Sequence, residues 1–125
     1  MKHINHLLCI GLIFLSLFSP ASFAGDQGIN VSGLNGHDLL RLCTSRAGSS
    51  ELNFCFGYIE GIRDGLIWVA VARKSKPPVA IPDKMTQEQL ADVIVKYLNG
   101  HPERRDRAAG LLVLVALKQA FPPKS

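Results

Sequence analysis

Residues 51–73, ELNFCFGYIEGIRDGLIWVAVAR, run for 23 positions without a proline and set Cys55, Ile59, Ile62, Leu66 and Val69 three or four residues apart. That is the spacing of one helix face, because a turn takes about 3.6 residues. It predicts a long helix from about Glu51 to Arg73, with Ser49 or Ser50 accepting hydrogen bonds from the first free amides. Working upstream, Asn35 can cap a shorter helix and Asp38 supports its first turn. Leu39, Leu40, Leu42 and Cys43 form its apolar side up to about Ser45, and Arg46-Ala47-Gly48-Ser49-Ser50 breaks the chain between the two helices. Working downstream, Lys74 to Lys84 holds Pro77, Pro78 and Pro82 and reads as a stiff connecting loop.

The end of that loop starts another helix. Thr86 and Gln89 form a capping box, and Met85 and Leu90 stand where a hydrophobic staple needs them. Leu90, Val93, Ile94, Tyr97 and Leu98 make the buried stripe, and Gly100 stops the helix. Pro102 suits the first position of a fourth helix, Glu103 meets its positive end, and Ala108, Leu111, Leu112, Val115 and Ala116 carry its inward face until Phe121-Pro122-Pro123. The run Leu111 to Leu117 is apolar all round and can be read as a buried strand, but its alanine-rich flanks and lack of turn signals favour helix. The expectation is an all-α fold: one small bundle of four main helices.

Met1 to Ala24 has the order of a cleavable signal peptide: Lys2, an apolar run from Leu7 to Phe18, Pro20, then Ser22-Phe23-Ala24 before Gly25. A membrane anchor is the competing reading, but the run is too short against the roughly 20 residues needed to span. Residues 25–125 then form one domain, opened by an extended or mobile lead-in from Gly25 to Gly36. Lys2 is the only charged residue before Gly25, so removal of the leader takes the net charge from +4 to +3. An excess that small, without a basic cluster, does not suit nucleic-acid binding. The mature part keeps two cysteines, Cys43 and Cys55, which export predicts to be paired, clamping the first two helices together. A C-x-x-C motif is absent, so redox catalysis and structural zinc lack their ligands.

Few residues suggest chemistry. Glu60 and Asp64 lie one helical turn apart with Arg63 beside them, which fits a charged face better than an acid and base pair, since a single turn makes no cleft. His37 and His101 stand at helix starts without a spaced second ligand, and Ser32, Ser45, Ser49 and Ser50 lack an elbow motif. Binding rather than catalysis is expected, with no metal and no cofactor. Gly57, Gly61 and Gly65 make a bare stripe on the long helix, where a backbone comes close either from within the subunit or across a homodimer. Two exposed segments are candidate partner contacts: Arg73-Lys74-Ser75-Lys76-Pro77-Pro78 and His101-Pro102-Glu103-Arg104-Arg105. Among them Arg73, Lys74, Lys76, His101, Glu103 and Arg104 are the residues singled out.

The sequence Leu39-Leu40-Arg41-Leu42-Cys43, then Phe54-Cys55-Phe56-Gly57-Tyr58-Ile59-Glu60-Gly61-Ile62-Arg63-Asp64, then Thr86-Gln87-Glu88-Gln89-Leu90, Tyr97-Leu98, His101-Pro102-Glu103 and Ala120-Phe121-Pro122 resembles the Rap/Tai family of type VI secretion immunity proteins. The resemblance spans nearly all of the mature chain. It implies a periplasmic helical homodimer that blocks a peptidoglycan amidase, a cysteine peptidase of cell-wall stem peptides, by occupying its substrate groove. Relatives often carry a second disulfide between the loop before the third helix and the residue after the terminal Phe-Pro; here those places hold Ala80-Ile81 and Pro123. A looser C-terminus and a more mobile loop from Pro77 to Pro82 are expected from that departure. The alternative function for a small, exported, disulfide-bearing helical chain is an acid-stress chaperone of the periplasm, which sheds its dimer and exposes apolar surface at low pH.

Overall fold

The computed structural model describes residues 33–123; the leader, Met1 to Ala24, and the start of the lead-in lie outside the described residues. Four α-helices follow in order: α1, Gly36–Cys43; α2, Ser50–Ala72; α3, Gln87–Gly100; and α4, Ala109–Ala120, with a 3₁₀ turn at Pro102–Arg104 between the last two. Strands are absent among the described residues apart from one isolated bridge, Asn35 to Ala108. The fold is all-α, as the periodicity predicted, and the run 111–117 is helix.

Local chemistry starts each helix where the sequence placed it. The Asn35 side chain accepts from the amides of His37 and Asp38 at 2.9 and 3.0 Å, while Asp38 returns a bond from the Asn35 amide at 3.3 Å. Ser49 caps α2 through the Leu52 amide. Thr86 and Gln89 complete their box at 3.3 and 2.9 Å. Glu51 and Glu88, in the first turns of α2 and α3, have carboxyls held below the usual range, first by backbone amides and then by neighbouring hydroxyls.

One core joins the four helices. Leu39, Leu42 and Cys43 of α1, Cys55 and Ile59 of α2, Leu90, Ile94, Tyr97 and Leu98 of α3, and Leu112, Val113, Ala116 and Leu117 of α4 are buried together. Cys43 and Cys55 form the expected disulfide, with Cα atoms 5.2 Å apart, tying the end of α1 to the start of α2. Tyr58 reaches from α2 to the start of α4 beside Gly110, and burial there pushes its phenol pKa up, partly opposed by the Gly110 backbone.

Three expectations are corrected. The fourth helix does not begin at Pro102, which opens only the 3₁₀ turn. Backbone after that turn is used to hold the lead-in: the Gly36 amide donates to the carbonyls of Arg105 and Arg107 at 2.7 and 3.2 Å, and the Ala109 amide donates to Leu34. The end of the lead-in is thus extended and pinned, one of the two forms expected of it. A side chain at Gly36 would meet the Arg105 backbone at 2.8–2.9 Å, so the contact requires glycine. The inward face of α4 is turned from the expected one: Ala109, Leu112, Val113, Ala116 and Leu117 are buried, whereas Ala108 and Leu111 are exposed. Val69 of α2 is likewise exposed, and Ala70 takes the buried place.

Candidate functional site

Three surfaces carry the residues singled out. The first is the loop after α2. Arg73 caps the helix, the Lys74 amide donates to Val71, and the Ser75 amide donates back to Ala70 at 2.9 Å. This paired closure requires a left-handed residue, usually glycine, and Lys74 fills it with φ 51°. Lys74→Gly is therefore expected to raise stability by up to about 1 kcal/mol, read as a higher urea midpoint. A lower midpoint would mean that the lysine side chain makes a contact worth more than the backbone strain.

Beyond Lys74 the chain runs past exposed Lys76 to Val79, which is buried and anchors the loop. The Ala80 amide donates to the Phe121 carbonyl at 3.0 Å, so a backbone bond joins the two segments that the resemblance expects a second disulfide to join. Lys76, Pro77, Ile81 and Pro123 border an open cleft of ≈ 490 Å³ here.

The second surface is the corner where α3 ends. His101 stands between α3 and the 3₁₀ turn, its Nδ1 2.8 Å from the Tyr97 carbonyl, which can only accept, so Nδ1 carries the proton. The two rings stack at 4.3 Å. Arg104 donates to the Tyr97 hydroxyl at 3.3 Å and lies 3.6 Å from the Glu103 carboxylate. Arg105 turns inward and donates to the Leu98 carbonyl at 2.8 Å, closing the end of α3. His101 and Arg104 are thus brought together around Tyr97, whereas Arg73, Lys74 and Lys76 belong to the other loop.

The third surface is the outer face of α2. Among the described residues, nothing lies within 4 Å of a Cβ built on Gly57, Gly61 or Gly65, and no other helix packs closely on the stripe. The stripe continues into large apolar side chains that also face outward: Phe54 is 51 % exposed, Trp68 68 % and Val71 60 %. Beside it Arg63 is gripped by Glu60 and Asp64, with Nη1 and Nη2 donating at 3.2 Å to one oxygen of each. Both carboxylates are occupied by one guanidinium, which makes this a surface ion cluster rather than an acid and base pair.

Sequence reasoning missed Tyr97 as a site residue, because its periodicity marked it as core; it is buried, yet its hydroxyl holds Arg104. It missed Phe54 and Trp68 although their spacing from the glycines, three residues at either end, was a usable signal. Among the described residues no group of three His, Cys, Asp or Glu side chains is gathered as a metal site, and no helix is long and apolar enough to cross a membrane.

The chain matches the family model of the Rap1a immunity proteins over residues 35–123, which takes in all four helices. No curated protein and no solved structure shows a significant match. The chain belongs to the Rap1a immunity protein family. Membership implies a partner effector protein and suggests a non-enzymatic inhibitor.

Proposed function

We propose that this Rap1a-family protein, exported to the periplasm by cleavage after Ala24, protects its cell from a type VI secretion amidase by covering that enzyme's active site. The observation that carries this reading is the family match across the whole helical unit. The leader-like composition of residues 1–24 and the two stiff, exposed segments support it. Arg73, Lys74, Lys76, His101, Glu103 and Arg104 are the proposed effector contacts. The test is direct: mature protein, 25–125, is mixed with the amidase encoded beside it and the release of cleaved stem peptides is followed. Stoichiometric loss of cleavage is expected.

Dimerisation through the outer face of α2 is part of the same proposal. A face with Phe54, Trp68 and Val71 exposed around a bare glycine stripe is unusual for a monomer, and small residues let two helix backbones approach closely. Gly61→Arg combined with Trp68→Asp should convert a dimer to a monomer in sedimentation velocity while helicity stays the same. A wild-type monomer at the highest concentrations tested would end this part of the proposal.

Behaviour in acid separates the immunity reading from the chaperone. Among the described residues no carboxyl or imidazole side chain is buried, so no core group is newly charged on acidification. The lowered carboxyls of Glu51 and Glu88 contribute stability that is present above the unfolded carboxylate range and lost as pH falls through their folded values. Both are exposed and screened, so the effect is small. Helical circular dichroism and absence of dye binding are expected to hold from pH 7 to about 4. Dissociation with strong dye binding inside that window would favour a chaperone.

A further inference from the structure

Tyr97 forms a ridge between two open clefts. One, of ≈ 420 Å³, is bordered by Val93, Lys96, His101 and Ala116. The other, of ≈ 290 Å³, is bordered by Arg104, Arg107, Leu112 and Val115. The first therefore combines an apolar wall with Lys96 and the second with two arginines, and neither is bordered by a carboxylate. Among the described residues neither Lys96 nor Arg107 has an acidic partner within 4 Å, since the ion pairs lie elsewhere: His37 with Asp106, Arg63 with Glu60 and Asp64, and Arg104 with Glu103. The ridge itself is set in advance. Tyr97 is buried, its ring stacks on His101, and its hydroxyl accepts from Arg104 Nη1.

Resting on the immunity reading, we propose that this double cleft receives an acidic loop of the effector, one whose carboxylates reach Arg104, Arg107 and Lys96 while an apolar side chain of the same loop enters beside Val93 and Ala116. Charge complementarity selects that occupant. Two arginines offer planar donor forks to carboxylates, and unpaired cations beside an apolar wall attract an acidic segment more strongly than a neutral one. Tyrosine and arginine held in place before contact are the residue types in which binding energy concentrates. Lys96 and Arg107 enter the site through this juxtaposition, and Glu103, beside Arg104, helps to orient its guanidinium.

The experiment measures binding of the adjacent-encoded amidase by calorimetry and inhibition by stem-peptide release, using the mature protein and two charge-reversed forms. Arg104→Glu with Arg107→Glu is expected to weaken binding at least about 100-fold, with unchanged helicity and thermal midpoint because both residues are exposed. Arg46→Glu with Lys118→Glu, an equal charge change at two exposed positions outside both clefts, is expected to alter binding by less than about 3-fold. Wild-type inhibition with equal weakening by both forms, or by neither, overturns the site and leaves the immunity reading standing. Failure of the wild type to bind the amidase overturns the reading and the site together. Binding of soluble muropeptides instead, lost in the double variant, would assign the clefts to cell-wall carboxylates and overturn the proposal.

Discussion

Leu98→Ala is expected to lower the unfolding free energy by about 2–5 kcal/mol, the cost of removing a large buried aliphatic side chain and leaving a cavity. Leu98 is fully buried in α3, which, like each helix of the bundle, packs against the other three. Leu98 belongs to a core shared by all four helices, three of them capped by side chains and two joined by the disulfide, so little relaxation is available. A domain of this size has roughly 5–15 kcal/mol in all. The variant should therefore unfold at a clearly lower urea midpoint, with its slope unchanged. A midpoint within the error of the wild type would mean that the packing around Leu98 is looser than described.

Removal of the disulfide, by Cys43→Ala with Cys55→Ala, is expected to cost about 3 kcal/mol by the chain-entropy estimate for so short a loop. The two cysteines are separated by 12 in sequence. For a domain near this length, 1 kcal/mol lowers the thermal midpoint by about 4–8 °C, so the fall should be of the order of 10–20 °C. Both positions are buried in the common core, and replacement by alanine adds a small loss of packing. The same fall should follow reduction of the wild type by dithiothreitol, and a fall in only one of the two experiments would separate the cross-link from the packing.

Helix existence was legible in the sequence because the signals were local. Asn35 with Asp38, Ser49, and Thr86 with Gln89 cap helices through bonds to amides within three residues, and such bonds depend on little else. The disulfide was legible from the leader-like order of residues 1–24 and the two cysteines that follow it. The start and phase of α4 were not, because residues 109–117 are almost uniformly apolar and periodicity has no polar side to mark. What fixes both lies far away in sequence: Gly36 bonds to the carbonyls of Arg105 and Arg107, outside the helix, and Leu34 accepts from the first amide of α4, that of Ala109. The glycine stripe was visible, but its surroundings depend on tertiary placement, and only the structure shows it facing outward. Tyr97 was assigned to the core on sound grounds; that a buried ring also positions Arg104 comes from the turn at Pro102, which returns the chain to α3.

Family membership and the shape of the surface meet in one claim, that this chain binds an effector and silences it. Calorimetric titration of the proposed amidase partner with residues 25–125 tests that claim most directly, with stem-peptide release read in the same samples. Tight binding at a fixed stoichiometry, with cleavage lost in proportion to the complex formed, is the expected result. A folded protein that gives no heat of binding and leaves cleavage untouched would contradict it.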